Sequence, residues 1–336
     1  MLTALLTSVV FAIQPAAPET PETPATPSPA EMVDAEHVMA MLRALPKHRA
    51  VSSNDDQDRL GLARTEGMIE GWLRAFGHHV QTQTVEWPRV SRDATGPYRG
   101  TNYWIDLKGW TVPGEVYIIG AHFDAVEDSP GTDDNGTGTV AALELARVLA
   151  GRRHERTIRI MFYTAEEVGL IGSRAYVNDI VVPAIEAGEE TILGMVSLEM
   201  LGYFTDEPDS QQSPIPAVPG IYEPPTVGDF IAVVGIAPHR KFVDPFVRGL
   251  YRHGGDLKIL DTAFLPFATR DLGRSDHAPF WAIQVPAVML TDTANFRNPH
   301  YHTPTDTVLT IDAERFVKVI RAVAGSVHDL AGPIGD

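Results

Sequence analysis

Histidines and carboxylates fall just beyond apolar, strand-like runs in five segments: Ala121-His122-Phe123-Asp124, Gly131-Thr132-Asp133-Asp134-Asn135-Gly136, Ala165-Glu166-Glu167, Leu198-Glu199-Met200 and Tyr301-His302-Thr303. In an open α/β sheet the strand ends at one edge converge on a common crevice, so groups far apart in sequence can meet there. Asp133-Asp134 and Glu166-Glu167 set like charges side by side. Near low-dielectric walls such pairs are costly unless a cation or a proton compensates. The chain has no cysteine, so a transition-metal site must use nitrogen and oxygen ligands. Such a set suits zinc, manganese or cobalt. Asp124 lies two residues beyond His122, on the same side of a continuing strand. There it can accept the second imidazole N–H, fixing the tautomer and raising ligand basicity. Taken alone, the pair fits better a buried histidine satisfied by its neighbour.

Competing motifs fail on their own chemistry. Gly136-Thr137-Gly138-Thr139-Val140-Ala141 fits a dinucleotide-binding turn, but Asp133 and Asp134 would crowd a pyrophosphate with negative charge. An EF-hand register ending at Gly136 puts Gly131 at the first ligand position and Ala142 at the last, where carboxylates are needed. His154-Glu155 does not continue into HExxH, and no G-x-S-x-G elbow is present. His48, His78, His79 and His239 sit among charged or turn residues and read as surface.

The elements that must position these groups are legible from periodicity. Residues 33–45 and 60–76 repeat at helical spacing, the second stretch ending at Gly77 in a C-cap position. Residues 79–87 and 101–109 alternate like half-exposed strands, whereas 115–124 is a continuous apolar run suited to a buried strand. A helix over 139–149, a strand over 157–167 and a helix after Gly172 follow, then strands in ILGMVSLEM, FIAVVG and PAVMLTD. This alternation predicts an α/β fold: a single domain with a mostly parallel mixed β-sheet and helices on both faces. A Pro-rich stretch, 204–228, interrupts it, and a loop of that length usually serves function.

A formal net charge of −17 and the lack of basic stripes argue against nucleic-acid binding. Residues 2–13, LTALLTSVVFAI, are too short to span a bilayer but suit a signal-peptide core. Export to the periplasm or medium is therefore expected, with a cytoplasmic protein bearing an apolar tail as the alternative, and no stable membrane insertion. The Pro/Thr/Glu-rich spacer that follows cannot bury enough apolar surface to fold. Residues 1–30 are read as signal-like segment plus spacer, and 31–336 as the catalytic domain.

AHFDAVEDSPGTDDNGTG, FYTAEEVGLIGS, SLEMLGY, GRSDHAPF and PHYHTPTDT resemble, in order, the family-28 metallopeptidases, co-catalytic di-zinc aminopeptidases related to glutamate carboxypeptidase and glutaminyl cyclase. The resemblance runs from about residue 35 to the C-terminus. It implies the zinc-dependent exopeptidase fold and two divalent metal ions, as zinc. His122, Asp133 and Glu199 would hold one ion, and Asp133, Glu167 and His302 the other, with Asp133 bridging. It further implies an unusual cis peptide after the bridging aspartate, at Asp133-Asp134. Glu166 would be the general base, Asp124 the partner of His122, and Tyr301 the donor to the tetrahedral oxyanion. Arg274 would contact substrate, and Asp276 would support the carboxylate network. Glu199 departs from the pattern, since many members have Asp there. The implied activity is hydrolysis of the N-terminal peptide bond of peptides, with apolar N-terminal residues preferred. Two alternatives are a single-zinc glutaminyl-peptide cyclotransferase and a non-catalytic binding protein on the same scaffold.

Overall fold

The structure, a computed structural model, describes residues 26–53, 55–88, 98–220, 222–266 and 269–335. The signal-like run at 2–13 lies outside them. Among the described residues the strands are β1 (Gln81–Trp87), β2 (Tyr98–Leu107), β3 (Val112–His122), β4 (Arg156–Tyr163), β5 (Thr191–Glu199), β6 (Phe230–Val234), β7 (Lys258–Asp261) and β8 (Ala287–Thr291). They form one sheet in the order β1-β2-β4-β3-β5-β8-β6-β7. β3 pairs in parallel with β4 and β5, and β5 with β8, which brings the C-terminal ends of these strands to one edge. β6 and β7 are parallel to each other, while β1 with β2, β2 with β4 and β6 with β8 are antiparallel. The sheet is thus parallel at its centre, where both faces are covered and the strands read as continuous apolar runs.

The helices are α1 (Ala35–Ala44), α2 (Asp56–Ala75), α3 (Gly138–Val148), α4 (Ile171–Tyr176), α5 (Val182–Glu186), α6 (Arg240–His253), α7 (Ala278–Ala282) and α8 (Ala313–Ala331), a π turn at Val177–Val181 joining α4 to α5. Asp34, Asp55 and Asp312 cap α1, α2 and α8 by accepting the amides of His37, Gln57 and Arg315. α2 stops where Gly77 turns to φ +90. There the amides of Gly77 and His78 bond back to Arg74 O and Leu73 O, as in a Schellman cap. One face of the sheet carries α1, α3, α6 and α8, whose Leu42, Leu143, Phe246 and Ile320 share a core with Ile119, Ile160 and Val196. On the other face Tyr176, Val181 and Phe280 pack on Trp104, Ile118, Met161 and Met195.

Three helices, α6, α7 and α8, and one strand go beyond the periodicity reading. α6 buries Phe242, Val243, Phe246, Val247 and Leu250, and α8 buries Phe316, Val319, Ile320, Val323 and Val327. The two pack together, Ser326 Oγ donating to Phe246 O at 2.8 Å. β7, four residues long, is too short to show an alternation. His239, expected at the surface, is buried at the start of α6 with its ring against Trp281.

α8 is also tied to the loop before β4, where His154 Nε2 lies 2.8 Å from His328 Nδ1. Burial, followed by the neighbouring His328 and Arg152, lowers His154 to about 4. A histidine held below its unfolded value of about 6.5 stabilises the fold fully above pH 6.5. That stability is lost as pH falls from there towards about 4. His154→Gln should therefore flatten the acid limb. The stability lost between pH 6.5 and 4, measured by urea unfolding, should shrink by on the order of 3 kcal/mol.

Candidate metal centre

Adjacent strands deliver the ligand types to one edge. His122 is the last residue of β3 and Glu199 the last of β5, while Glu166 and Glu167 sit in the turn after β4. Asp134 comes from the turn between β3 and α3, and His302 from the loop after β8. Two groups result: His122, Asp134 and Glu199 in one, Asp134, Glu167 and His302 in the other, with each group's ligand atoms within 4.8 Å of one another. Asp134 Oδ1 lies 3.5 Å from His122 Nε2, and its Oδ2 lies 3.1 Å from His302 Nε2. Glu199 Oε2 is 3.4 Å from His122 Nε2, and Glu167 Oε2 is 3.3 Å from His302 Nε2.

The shared carboxylate is therefore Asp134, not Asp133 as expected. Asp133 turns inward: its Oδ1 accepts Gly202 N at 2.9 Å and Thr137 Oγ1 at 3.1 Å, and its Oδ2 accepts Asn298 Nδ2 at 2.9 Å. Neighbouring side chains in a tight turn point to opposite sides, and two identical residues offer no sign of which faces the crevice. The cis peptide shifts by the same one residue, to Asp134-Asn135.

Several residues that hold this geometry lie within or beside the resembling segments without a role assigned from the sequence. Asp306 accepts the amides of both Asp133 (2.9 Å) and Asp134 (3.1 Å), anchoring the turn. Asn135 donates to Leu198 O and accepts from Gly138 N and Met200 N, linking the turn to the end of β5. Ser275 Oγ donates to Glu199 Oε2 at 2.7 Å and fixes the longer glutamate arm. Asp124 lies 3.5 Å from His122 Nδ1, on the side its spacing predicts, but among the described residues that nitrogen makes no hydrogen bond. Asp124 accepts the amides of Glu166 (3.1 Å) and Glu167 (3.2 Å), which orients both glutamates. Non-glycine residues take positive φ at the site: Ala165 before Glu166, Met200 after Glu199, and His302 itself. Each costs on the order of 1–3 kcal/mol and persists only where the surroundings enforce it.

The electrostatics suit a cation. Burial, then the Asp134 charge, raises Glu167 to about 7, and among the described residues its buried Oε1 has no hydrogen-bond partner. Burial drives Glu166 well above the ordinary carboxylate range, against the pull of His122. His302 is raised to about 10 because hydrogen bonds to Asp134 and Glu167 outweigh its burial. Fully buried Asp276 is raised to about 7 by burial, with His122 opposing and Glu199 and Asp124 adding to it. A mixed His/carboxylate set with unspent acceptor capacity fits zinc or a similar divalent ion.

Beside the centre opens a cavity of about 520 Å³. Glu166, Glu167 and Tyr301 lie at its acidic end, and Ile215, Tyr222, Phe230, Val234 and Met289 among its apolar walls. Ile215 and Tyr222 come from the Pro-rich stretch. Gln211 bolts that stretch down by donating to Thr293 Oγ1 and accepting from Arg297 Nε. Arg274 lines the same cavity and donates to Tyr301 OH at 3.0 Å and to Asn295 Oδ1 at 2.8 Å. The Tyr301 ring stacks on His302.

An α/β sheet with a paired His/carboxylate site at its strand ends fits the broad class of metal-dependent hydrolases. The profile of Peptidase family M28 matches residues 102–223 and 253–327, and the chain belongs to that family. It is 34% identical over 223 residues to the uncharacterized protein YfbL of Escherichia coli, covering 62% of this chain and 65% of that protein. It is 31% identical over 247 residues to the probable lipoprotein aminopeptidase LpqL of Mycobacterium tuberculosis, covering 66% and 44% respectively. The chain thus spans less than two thirds of the length of either relative. Its fold matches that of a zinc aminopeptidase from Bacillus subtilis with a TM-score of 0.68 at 16% identity, covering 89% of this chain and 95% of that one. It also matches a glutaminyl cyclase from Fimbriiglobus ruber, with a TM-score of 0.62 at 17% identity, covering 94% and 99%.

The one-residue shift gives a direct test. Asp134→Asn should deplete bound divalent metal at both positions, whereas Asp133→Asn should keep most of the metal and lower thermal stability instead. Elemental analysis of the purified variants beside thermal melts separates the two outcomes.

Proposed function

We propose that this protein is a zinc-dependent exopeptidase, an aminopeptidase that hydrolyses the N-terminal peptide bond of peptides. The observation that carries this reading is the pair of three-residue groups sharing Asp134, set beside Glu166 at the mouth of an apolar cavity. His122, Asp134 and Glu199 would hold one zinc ion and Asp134, Glu167 and His302 the other. Bound there, the metal supplies Lewis acidity that lowers the pKa of water and polarises the scissile carbonyl.

The chain's own groups do the rest. Glu166, beside both ligand groups and raised by burial, is suited to take a proton from the attacking water and deliver it to the leaving amine. Arg274 donates to the Tyr301 oxygen, so the phenolic proton is free to point away from Arg274. Directed at the scissile carbonyl, it stabilises the oxygen as charge develops. The acidic end of the cavity receives the substrate's free ammonium, and the apolar walls receive an apolar first side chain. Two ligand groups rather than one favour the peptidase over a single-zinc cyclase. Residues 2–13 serve in this reading as an export signal. The name of the relative LpqL, a probable lipoprotein aminopeptidase, accords with that, and no described helix is long and apolar enough to cross a membrane.

Glu166→Gln should keep its metal while kcat falls by about two to four orders of magnitude, the range for loss of a general base. An unchanged kcat would remove Glu166 from that role. Hydrolysis of aminoacyl chromogenic substrates, with and without a chelator, tests the activity itself. N-acetylation of a good substrate should lower kcat/KM at least about tenfold, since it removes a charge-assisted contact. Equal cleavage of free and blocked peptides would refute the exopeptidase reading while leaving the metal chemistry standing.

A further inference from the structure

Arg49 lies between α1 and α2 in a segment that carries no motif, yet it is only 2% exposed. Among the described residues its guanidinium makes no ion pair. It donates instead to backbone carbonyls: Nε to Phe123 O at 2.8 Å, Nη1 to Pro130 O at 2.9 Å and to Pro46 O, and Nη2 to Gly131 O at 2.7 Å. Phe123 and Pro130-Gly131 are the two ends of one loop. That loop opens with Asp124, which orients Glu166 and Glu167, and runs into Asp133-Asp134. Arg49's own carbonyl accepts Ala125 N at 3.4 Å.

The burial needs an explanation. An isolated buried guanidinium costs several kcal/mol. Here Asp306, Asp124, Asp134 and Glu167 all act on it favourably from a distance. The turn is tight around it: Gly131 sits at φ +58, and a Cβ there would meet Asp134 O at 2.5 Å, Ala125 Cβ at 2.6 Å and Nη2 at 2.8 Å. A lysine could supply the charge but not the planar fork that spans several carbonyls.

We propose that Arg49 is a positioning residue for the metal-ligand turns: by clamping both ends of the 123–131 loop, it keeps Asp124 behind the glutamate pair and sets the course of the chain into Asp134, so that the ligands stand in place before a divalent ion binds. The last clause rests on the metal reading above; the clamp itself does not.

Arg49→Lys and Arg49→Met, compared with wild type as full chains, test both parts. Amide exchange in metal-free protein should speed up at least about tenfold at Asp133 and Asp134, whose amides bond Asp306, and at Glu166 and Glu167, whose amides bond Asp124. The amides of Ile119 and Val196 in the central strands should not follow. Zinc affinity, measured by competition with a chromogenic chelator, should fall about tenfold or more, the size expected when support for a ligand is lost. If all these amides accelerate together, or none does, Arg49 only contributes to global stability and the clamp is refuted. Unchanged zinc affinity in variants whose turns have loosened overturns preorganisation of the ligands. A wild type that binds no zinc while Arg49→Lys still loosens the four amides would sink the metal reading and uphold the clamp. Should Arg49→Met fail to fold, Arg49→Lys decides alone.

Discussion

Like charges forced together at one edge of the sheet are the constraint on which the rest of this structure turns. Asp134, Glu166, Glu167 and Glu199 converge where β4, β3 and β5 end, with Asp124, Asp276 and Asp306 behind them. Repulsion and desolvation would scatter or protonate such a group. It is held instead by backbone amides aimed at Asp124 and Asp306, by Asn135 and Ser275, and by positive-φ residues beside the ligands. The arrangement stores a demand for positive charge that a divalent ion would meet, and such an ion would invert the local pKa pattern.

The opposite end of the cavity follows from the same sheet. β6 and β8 present Phe230, Val234 and Met289 toward it, and the Pro-rich stretch closes over them with Ile215 and Tyr222. That stretch has little regular structure of its own, but Gln211 and Arg297 fasten it to the loop after β8 that also bears Tyr301 and His302. A substrate bridging the two ends would place a charged amine among carboxylates and an apolar side chain against apolar walls. Such a contrast within one cavity would carry orientation as well as affinity.

Glu199 shows how a departure from the family pattern is absorbed. Its stem is one methylene longer than aspartate, and Ser275 Oγ, itself 2.9 Å from Ser197 Oγ, holds the carboxylate toward His122. Both serines are fully buried, so this contact is shielded from competing water.

Much of this was legible in the chain alone. The apolar runs before His122, Glu166-Glu167 and Glu199 identify strands, and strand ends in an α/β sheet share an edge. His122, Glu166, Glu167 and Glu199 could therefore be picked out by residue type and place, Asp124 by its spacing from His122, and His302 through the family resemblance. Periodicity did not reveal α6, α7, α8 or β7, nor which of two adjacent aspartates faces the crevice. Only the folded chain decided that, because Asp133 is drawn inward by Gly202, Thr137 and Asn298, partners 4 to 165 residues away. What Arg49, Ser275 and Asp306 do was hidden for the same reason, although the last two lie in the resembling segments. Their roles lie in what they hydrogen-bond across the fold, and local sequence records a side chain's chemistry without recording which distant backbone groups it will meet.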